Sequence, residues 1–304
     1  MTQPRRILPG RTYAIERRTE RRLQLLRPDD RFNELFLWVL ALTANQLGIQ
    51  VHVATCMSTH FHLVVTAPEA NVSEFMESLD FRLAKSIQVL RKFVKGVVWA
   101  PGELSIVELT TEEAVVQQMA YALCNPVEAG LVYRPEDWPG VTTLLDELDG
   151  APRVGHRPDI YFRQDDDKWP PTASLRFVLP EFLRAKGREA AIEEVRVELE
   201  RQVADARAEC KANGWKVLGA VAVRAASPYR RATSFEPFGT RRPHLAAGRG
   251  QKQARLEAIA ALREFRAAYR AALAQWRAGE RDAVFPAGTY KMRRLHGVHV
   301  VPSS

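Results

Sequence analysis

His60, Phe61 and His62 stand inside the apolar run HFHLVV. On a strand, side chains at i and i+2 share a face, so both imidazoles would project together while Phe61 and Leu63 point the other way into a core. Two neutral imidazoles a few ångströms apart can chelate a metal ion. They can equally be two hydrogen-bonded histidines on a half-buried sheet face. The second feature is the run from Tyr121 to Asn125, closed by Pro126. If a helix persists to its last turn there, Tyr121 and Asn125 are i, i+4 neighbours that present a phenol and an amide to one side, before Pro126 forbids continuation. The alternative is that Asn125 caps a short following turn, with Pro126 at its first position and Glu128 at its third, and that Tyr121 is a core aromatic with its hydroxyl at the edge. A further arrangement is a zinc site of Cys56, His60 and His62, since Cys56 has the same parity as both histidines.

These residues need elements to hold them. Arg11 to Ile15 suits a short strand, and apolar spacing behind Asp29 predicts a helix over 29–47, ended by Gly48. Two β-rich stretches, 49–57 and 61–66, flank the polar Ser58 and Thr59 and read as an antiparallel pair. Asn71 or Ser73 can cap a helix reaching about Phe93, residues 104–109 suit a strand, and Thr110 or Thr111 opens a helix to about Cys124 with Glu112 and Glu113 in its first turn. The order β, α, β, β, α, β, α predicts an α+β fold: a ferredoxin-like split βαβ sheet covered by helices on one face. A mostly helical extension follows, with helices expected over 188–212 and 251–278, stopped by Gly214 and Gly279. The expected division is 1–150 as a domain with a basic N-terminal arm, 151–180 as a Gly, Pro and Asp-rich linker, and 181–304 as a basic helical extension.

The chain has 304 residues and a formal charge of +8, unevenly placed. Residues 1–150 hold 15 Lys and Arg against 19 Asp and Glu, so the excess of basic residues lies in the second half. Yet the first 27 residues carry eight arginines, an arm suited either to solvent or to phosphate contacts. In the extension, Arg263, Arg266, Arg270 and Arg277 form a stripe on the 251–278 helix, with Arg241, Arg242, Arg249 and Lys252 nearby; such a stripe lines a solvated face or binds phosphate. Three cysteines far apart argue against a disulfide framework, and the absence of a long apolar run argues against a membrane span, so the expected compartment is cytoplasmic.

The stretch MSTHFHLVVTAPEANVSEFMESLDFRLAKSI resembles the histidine, hydrophobe, histidine segment of the IS200-like transposases, particularly the REP-associated tyrosine transposases, single-tyrosine members of the HUH endonuclease superfamily. YALCNPVEAGLVYRPEDWP is similar to their tyrosine helix and the run after it, and Trp99 falls at a recurrent position. The resemblance covers about residues 5–140. It implies that His60 and His62 ligate a divalent cation, Mg²⁺ or Mn²⁺, with Asn125 as third protein ligand and Tyr121 as nucleophile. It also implies a metal-dependent DNA endonuclease and strand transferase acting on single-stranded or hairpin DNA through a phosphotyrosine link. A homodimer fits this reading, with Tyr121 serving its own subunit's metal or a partner's, and no membrane is involved. Arg5, Arg6, Arg11, Arg17, Arg18, Arg82 and Lys85 are the expected DNA contacts.

The sequence departs from that pattern at Ser58-Thr59, at Glu128 and at Pro101-Gly102-Glu103-Leu104, each of which removes a familiar or basic residue. Residues 101–130 contain no Lys or Arg and five Glu. That loss motivates the alternative, a domesticated DNA-binding protein of the same fold without strand transfer.

Overall fold

The computed structural model describes residues 3–93, 96–233 and 243–302. Its centre is a sheet of β1 (Arg11–Thr19), β2 (Gln50–Cys56), β3 (His60–Ala67) and β4 (Trp99–Leu109), with helices α1 (Asp30–Gln46), α2 (Val72–Leu90) and α3 (Glu112–Glu128) between and after them. The strands lie in the order β2, β3, β1, β4, and every pair among these four is antiparallel. This is the split βαβ arrangement expected from the element order, and the fold is α+β.

The alternation of β3 and β1 divides the sheet's chemistry. Register pairs Ile15 with Leu63 and Arg17 with Phe61, whereas Glu16 pairs with His62 and Arg18 with His60. Phe61 packs against Phe36 of α1 and Trp99, with ring centroids 5.6 and 5.7 Å apart, so the α1 and α2 side is the apolar core. α3 lies across the other face, against the histidines. The helices therefore cover both faces, not one as expected, because the second face carries apolar Ala14 and Val64 beside its polar Glu16, His60 and His62 and is closed by α3.

Local signals set the helix starts. Asp29 accepts the Phe32 amide at 3.1 Å, and Thr111 accepts the Ala114 amide at 3.2 Å. The end of α3 differs from expectation: it passes Pro126 and finishes at Glu128. Pro126 removes one amide donor, but Ala129 N–H still reaches Asn125 O at 2.9 Å, so the last turn closes around it. That extra turn places Glu128 two turns beyond Tyr121 on the same side of the helix.

Residues 3–27 do not form a free arm. β1 is a central strand, bonded on both edges, because Tyr13 and Ile15 are buried on its α1 and α2 side. Residues 151–180 carry a two-stranded ribbon, β5 (Arg153–His156) and β6 (Thr172–Leu175), packed on α1. Gly155 is required there, since a Cβ would sit 2.8 Å from the Trp38 backbone. Beyond it come α4 (Glu181–Arg184), α5 (Arg188–Ala212), which packs along α3, and α6 (Ala220–Ala225). A short strand β7 (Leu245–Ala246) adds in parallel to β4, then come α7 (Lys252–Arg277) and α8 (Lys291–His296). α7 keeps Leu256 half exposed, and Tyr269, Leu273 and Trp276 join a small separate core with Phe285, Met292 and Val298.

Candidate metal and nucleophile site

β3 and β1 place His60, His62 and Glu16 so that one ligand atom from each lies within 4.8 Å of the others. α3 brings Tyr121 and Asn125 to the same place. The Tyr121 ring stands edge-on to His62 with centroids 5.5 Å apart, and the two imidazoles are edge-on to each other at 4.8 Å. His60 Nδ1 lies 3.0 Å from the Thr59 hydroxyl and His60 Nε2 lies 3.2 Å from Asn125 Oδ1; with Nδ1–H donating to Thr59, Nε2 keeps its lone pair on the side of Asn125 Oδ1. His60, His62 and Asn125 are buried. All four residues expected at the site thus converge within one chain.

The donor set fits a divalent cation. Burial holds both imidazoles below their usual pKa, and for His60 the neighbouring His62 and Arg18 act in the same direction, so both rings are neutral near pH 7 with lone pairs to offer. His62 Nε2 is buried and has no hydrogen-bond partner among the described residues, as a nitrogen would that keeps its lone pair for a metal ion. The Thr59 hydroxyl on the outer nitrogen of His60 fixes that ring. Glu16 supplies the hard, anionic oxygen that Mg²⁺ or Mn²⁺ prefers, and Asn125 an amide oxygen beside it.

Glu16 was not singled out from the sequence, where it reads as one acidic residue among arginines. Only the register Glu16 to His62 reveals it. Cys56 is excluded from this cluster: it pairs with Phe61 across β2 and β3 and so lies on the opposite face from the histidines, the Ser58-Thr59 turn having broken the parity.

Tyr121 is not activated by the protein alone. Burial raises its pKa first, the charges of Glu128 and Glu16 raise it further, and Arg18 and a hydrogen bond with Asn125 oppose them. The phenol is therefore protonated at neutral pH. Glu128 itself is held above the ordinary carboxylate range by burial and by Glu209.

The expected DNA-contacting cations separate. Arg5 and Arg18 line the wide cleft, about 2740 Å³, that contains His60, His62 and Tyr121. Arg18 is hydrogen-bonded to Glu16. Arg17 faces the other side of β1, where it donates to Asp80 at 2.8 Å and Ala100 O at 2.9 Å and lies over Trp99. Arg82 donates to Thr43 and Gln46, and Lys85 lies over Phe81, both on the α2 side. Arg6 and Arg11 approach Glu108 at 3.5 and 3.7 Å. Arg22, Lys216, Arg230, Arg231, Arg270 and Arg277 also line the cleft, so the extension contributes most of its basic wall. Arg241 and Arg242 lie outside the described residues.

No family model matches this sequence, and no curated protein does. Solved structures that are similar include two transposases. One is a REP-associated tyrosine transposase bound to a REP hairpin, 18% identical, covering 48% of this chain and 85% of that one, with a TM-score of 0.41. The other is a candidate transposase from Deinococcus radiodurans R1, 21% identical, covering 41% of this chain and 97% of that one, with a TM-score of 0.30.

Proposed function

We propose that this chain is a metal-dependent, single-tyrosine DNA endonuclease and strand transferase, a transposase of the HUH type acting on single-stranded or hairpin DNA. The observation that carries the proposal is the meeting of a helix-borne phenol with two strand imidazoles and a carboxylate, the Tyr121 and His62 rings being 5.5 Å apart. The sequence resemblance of both motif stretches supports it.

Glu16, His60, His62 and Asn125 would hold the cation, whose Lewis acidity offsets the charge that builds on nonbridging phosphate oxygens. Tyr121 Oη attacks phosphorus, its new bond to phosphorus forms as the bond to the leaving sugar oxygen breaks, and the phenolic proton passes in net to that oxygen. The phosphotyrosine keeps the cleaved bond available for rejoining, so no nucleotide cofactor is needed. His60 Nε2 and Asn125 Oδ1 stand 3.2 Å apart, close enough to serve as two ligand atoms of one cation, and the Thr59 hydroxyl on Nδ1 holds the His60 ring in place.

One observation favours the alternative of a DNA-binding protein that has lost strand transfer: Glu128 and Glu16 both act against ionisation of Tyr121. A single experiment separates the readings. End-labelled hairpin DNA is incubated with the full chain and Mn²⁺, then run on a denaturing gel. The enzyme reading expects a protein-linked band that vanishes in Tyr121→Phe while DNA binding is kept. An adduct persisting in that variant, or none from the unaltered chain, contradicts it.

A further inference from the structure

Two helices at the cleft end in the same way. α3 runs out through Gly130, at φ 65°, with Gly130 N–H to Val127 O at 2.9 Å and Leu131 N–H to Pro126 O at 3.0 Å. α5 runs out through Gly214, also at φ 65°, with Gly214 N–H to Lys211 O at 3.1 Å and Trp215 N–H to Cys210 O at 2.9 Å. Both are Schellman turns, in which a glycine in the left-handed region lets the chain satisfy the last carbonyls of its helix. The turns touch, since a Cβ on Gly130 would lie 4.0 Å from Cys210 Sγ. Just beyond the second turn, Leu218 N–H bonds Gly130 O at 3.0 Å and Gly219 N–H bonds Leu131 O at 2.9 Å. The backbone of Trp215 is therefore pinned on both sides, against the end of the helix that carries Tyr121.

An apolar residue at this position of the turn commonly packs back on its helix. The indole of Trp215 instead stays 56% exposed, whereas Trp38, Trp99 and Trp138 are buried and Trp169 and Trp276 half-buried. It lines the cleft that contains His60, His62 and Tyr121. An exposed indole adds little to the stability of the fold, yet a rigid ring on a fixed backbone loses little entropy when a flat partner lies on it.

The charges around the ring select that partner. Glu128 and Glu209, close to the ends of α3 and α5, line the cleft at this corner and disfavour a phosphate there. Lys216, Arg22, Arg230 and Arg231 line the wall beyond, where Gln24 N–H to Arg230 O at 3.1 Å and Ala232 N–H to Arg22 O at 3.0 Å hold the two segments together. A basic wall that attracts a polyanion, with an aromatic ring at an acidic corner of it, suits a nucleotide strand whose phosphates follow the wall while a base reaches the ring.

We propose that Trp215 is the platform on which one unpaired base of the DNA strand stacks, a few nucleotides from the phosphate that Tyr121 attacks. Tyr121 precedes Glu128, the last residue of α3, by about 10 Å along the helix axis. The proposal rests on the reading of the chain as a protein that processes single-stranded DNA, and it gives the C-terminal extension a part in holding that strand.

The test measures, by anisotropy and in EDTA, the binding of two fluorescein-labelled 20-mers to the full chain at several salt concentrations. One is oligo(dT); in the other every base is replaced by hydrogen, so that only sugar and phosphate remain. Trp215→Ala should weaken oligo(dT) binding about tenfold, leave the abasic strand within about twofold, and leave the slope of log affinity against log salt unchanged. Trp215→Phe, which keeps a ring, should bind oligo(dT) within about threefold of the unaltered chain. An equal loss on both strands, a changed slope, or no loss in Trp215→Ala overturns the site.

Because the indole is exposed, Trp215→Ala should leave the thermal midpoint of the DNA-free protein unchanged; a lowered midpoint means that Trp215 supports the fold, and overturns the proposal. The two readings fail separately. A base-dependent loss in Trp215→Ala from a chain that forms no Tyr121 adduct keeps this site and discards the nuclease; an adduct from a chain that binds both strands equally does the reverse.

Discussion

The two faces of the central sheet are made from the same strands and are built for different purposes. On the α1 and α2 face, Ile15, Phe61 and Leu63 meet Phe36, Leu79 and Trp99 in a core from which water is excluded. On the α3 face, residues one position along the same strands are the half-buried Glu16 and the buried His60 and His62, polar, lining the cleft and gathered with Tyr121 and Asn125. Burial stabilises the first face through apolar area. On the second it costs free energy, which is what holds the imidazoles neutral, and His62 Nε2 has no hydrogen-bond partner among the described residues. A domain tolerates such a face when something else completes it, and on the function proposed above that is a divalent cation.

Substitutions should therefore divide cleanly between faces. The largest effect belongs to Phe61→Ala, which empties a fully buried ring position and should lower unfolding free energy by about 3–5 kcal/mol in urea titration. Metal affinity per folded molecule should be little changed. His62→Ala reverses the pattern: Mn²⁺ affinity measured by calorimetry should fall by about 100-fold, the upper end of what even outer-shell changes cost, while stability of the metal-free protein changes much less. If Phe61→Ala weakens Mn²⁺ binding as strongly as His62→Ala does, the faces are not separate.

A pH titration sharpens the same contrast at His52. This buried imidazole of β2 bonds Val178 O and Thr66, and burial pushes its pKa down to about 4. Its folded pKa lies below the unfolded value, so its contribution is complete above about pH 6.5 and is lost as pH falls toward 4. Unfolding free energy should drop by a few kcal/mol across that window, and His52→Gln should flatten the curve. The smallest expected effect is Thr111→Ala, which removes the cap of α3 and should cost about 1 kcal/mol, read as a lowered urea midpoint.

Much of this organisation is legible in residue order. Strand parity alone separates Phe61 from His60 and His62, and the caps Asp29 and Thr111 mark where α1 and α3 begin. What parity cannot supply is register between strands distant in sequence. Glu16 enters the site only because it faces His62 across β1 and β3, and Cys56 leaves it because it faces Phe61. The arginines of residues 1–27 show the same limit. Composition makes them one arm, but alternation sends Arg17 to Asp80 and Arg18 to the cleft. Pro126 was a stop signal by its chemistry, yet α3 closes one more turn because only one amide donor is lost near a helix end. For the stripe on α7, spacing cannot say which arginines meet the cleft; the structure brings Arg270 and Arg277 to its wall.

The account turns on one ion shared by both strands and the helix. Crystals of the full chain grown with Mn²⁺ and measured at the manganese absorption edge test it directly. The expected result is a single strong anomalous peak bonded to His60, His62 and Glu16 or Asn125, with the Tyr121 hydroxyl facing the same cavity. A peak elsewhere, or none at saturating Mn²⁺, would contradict the account.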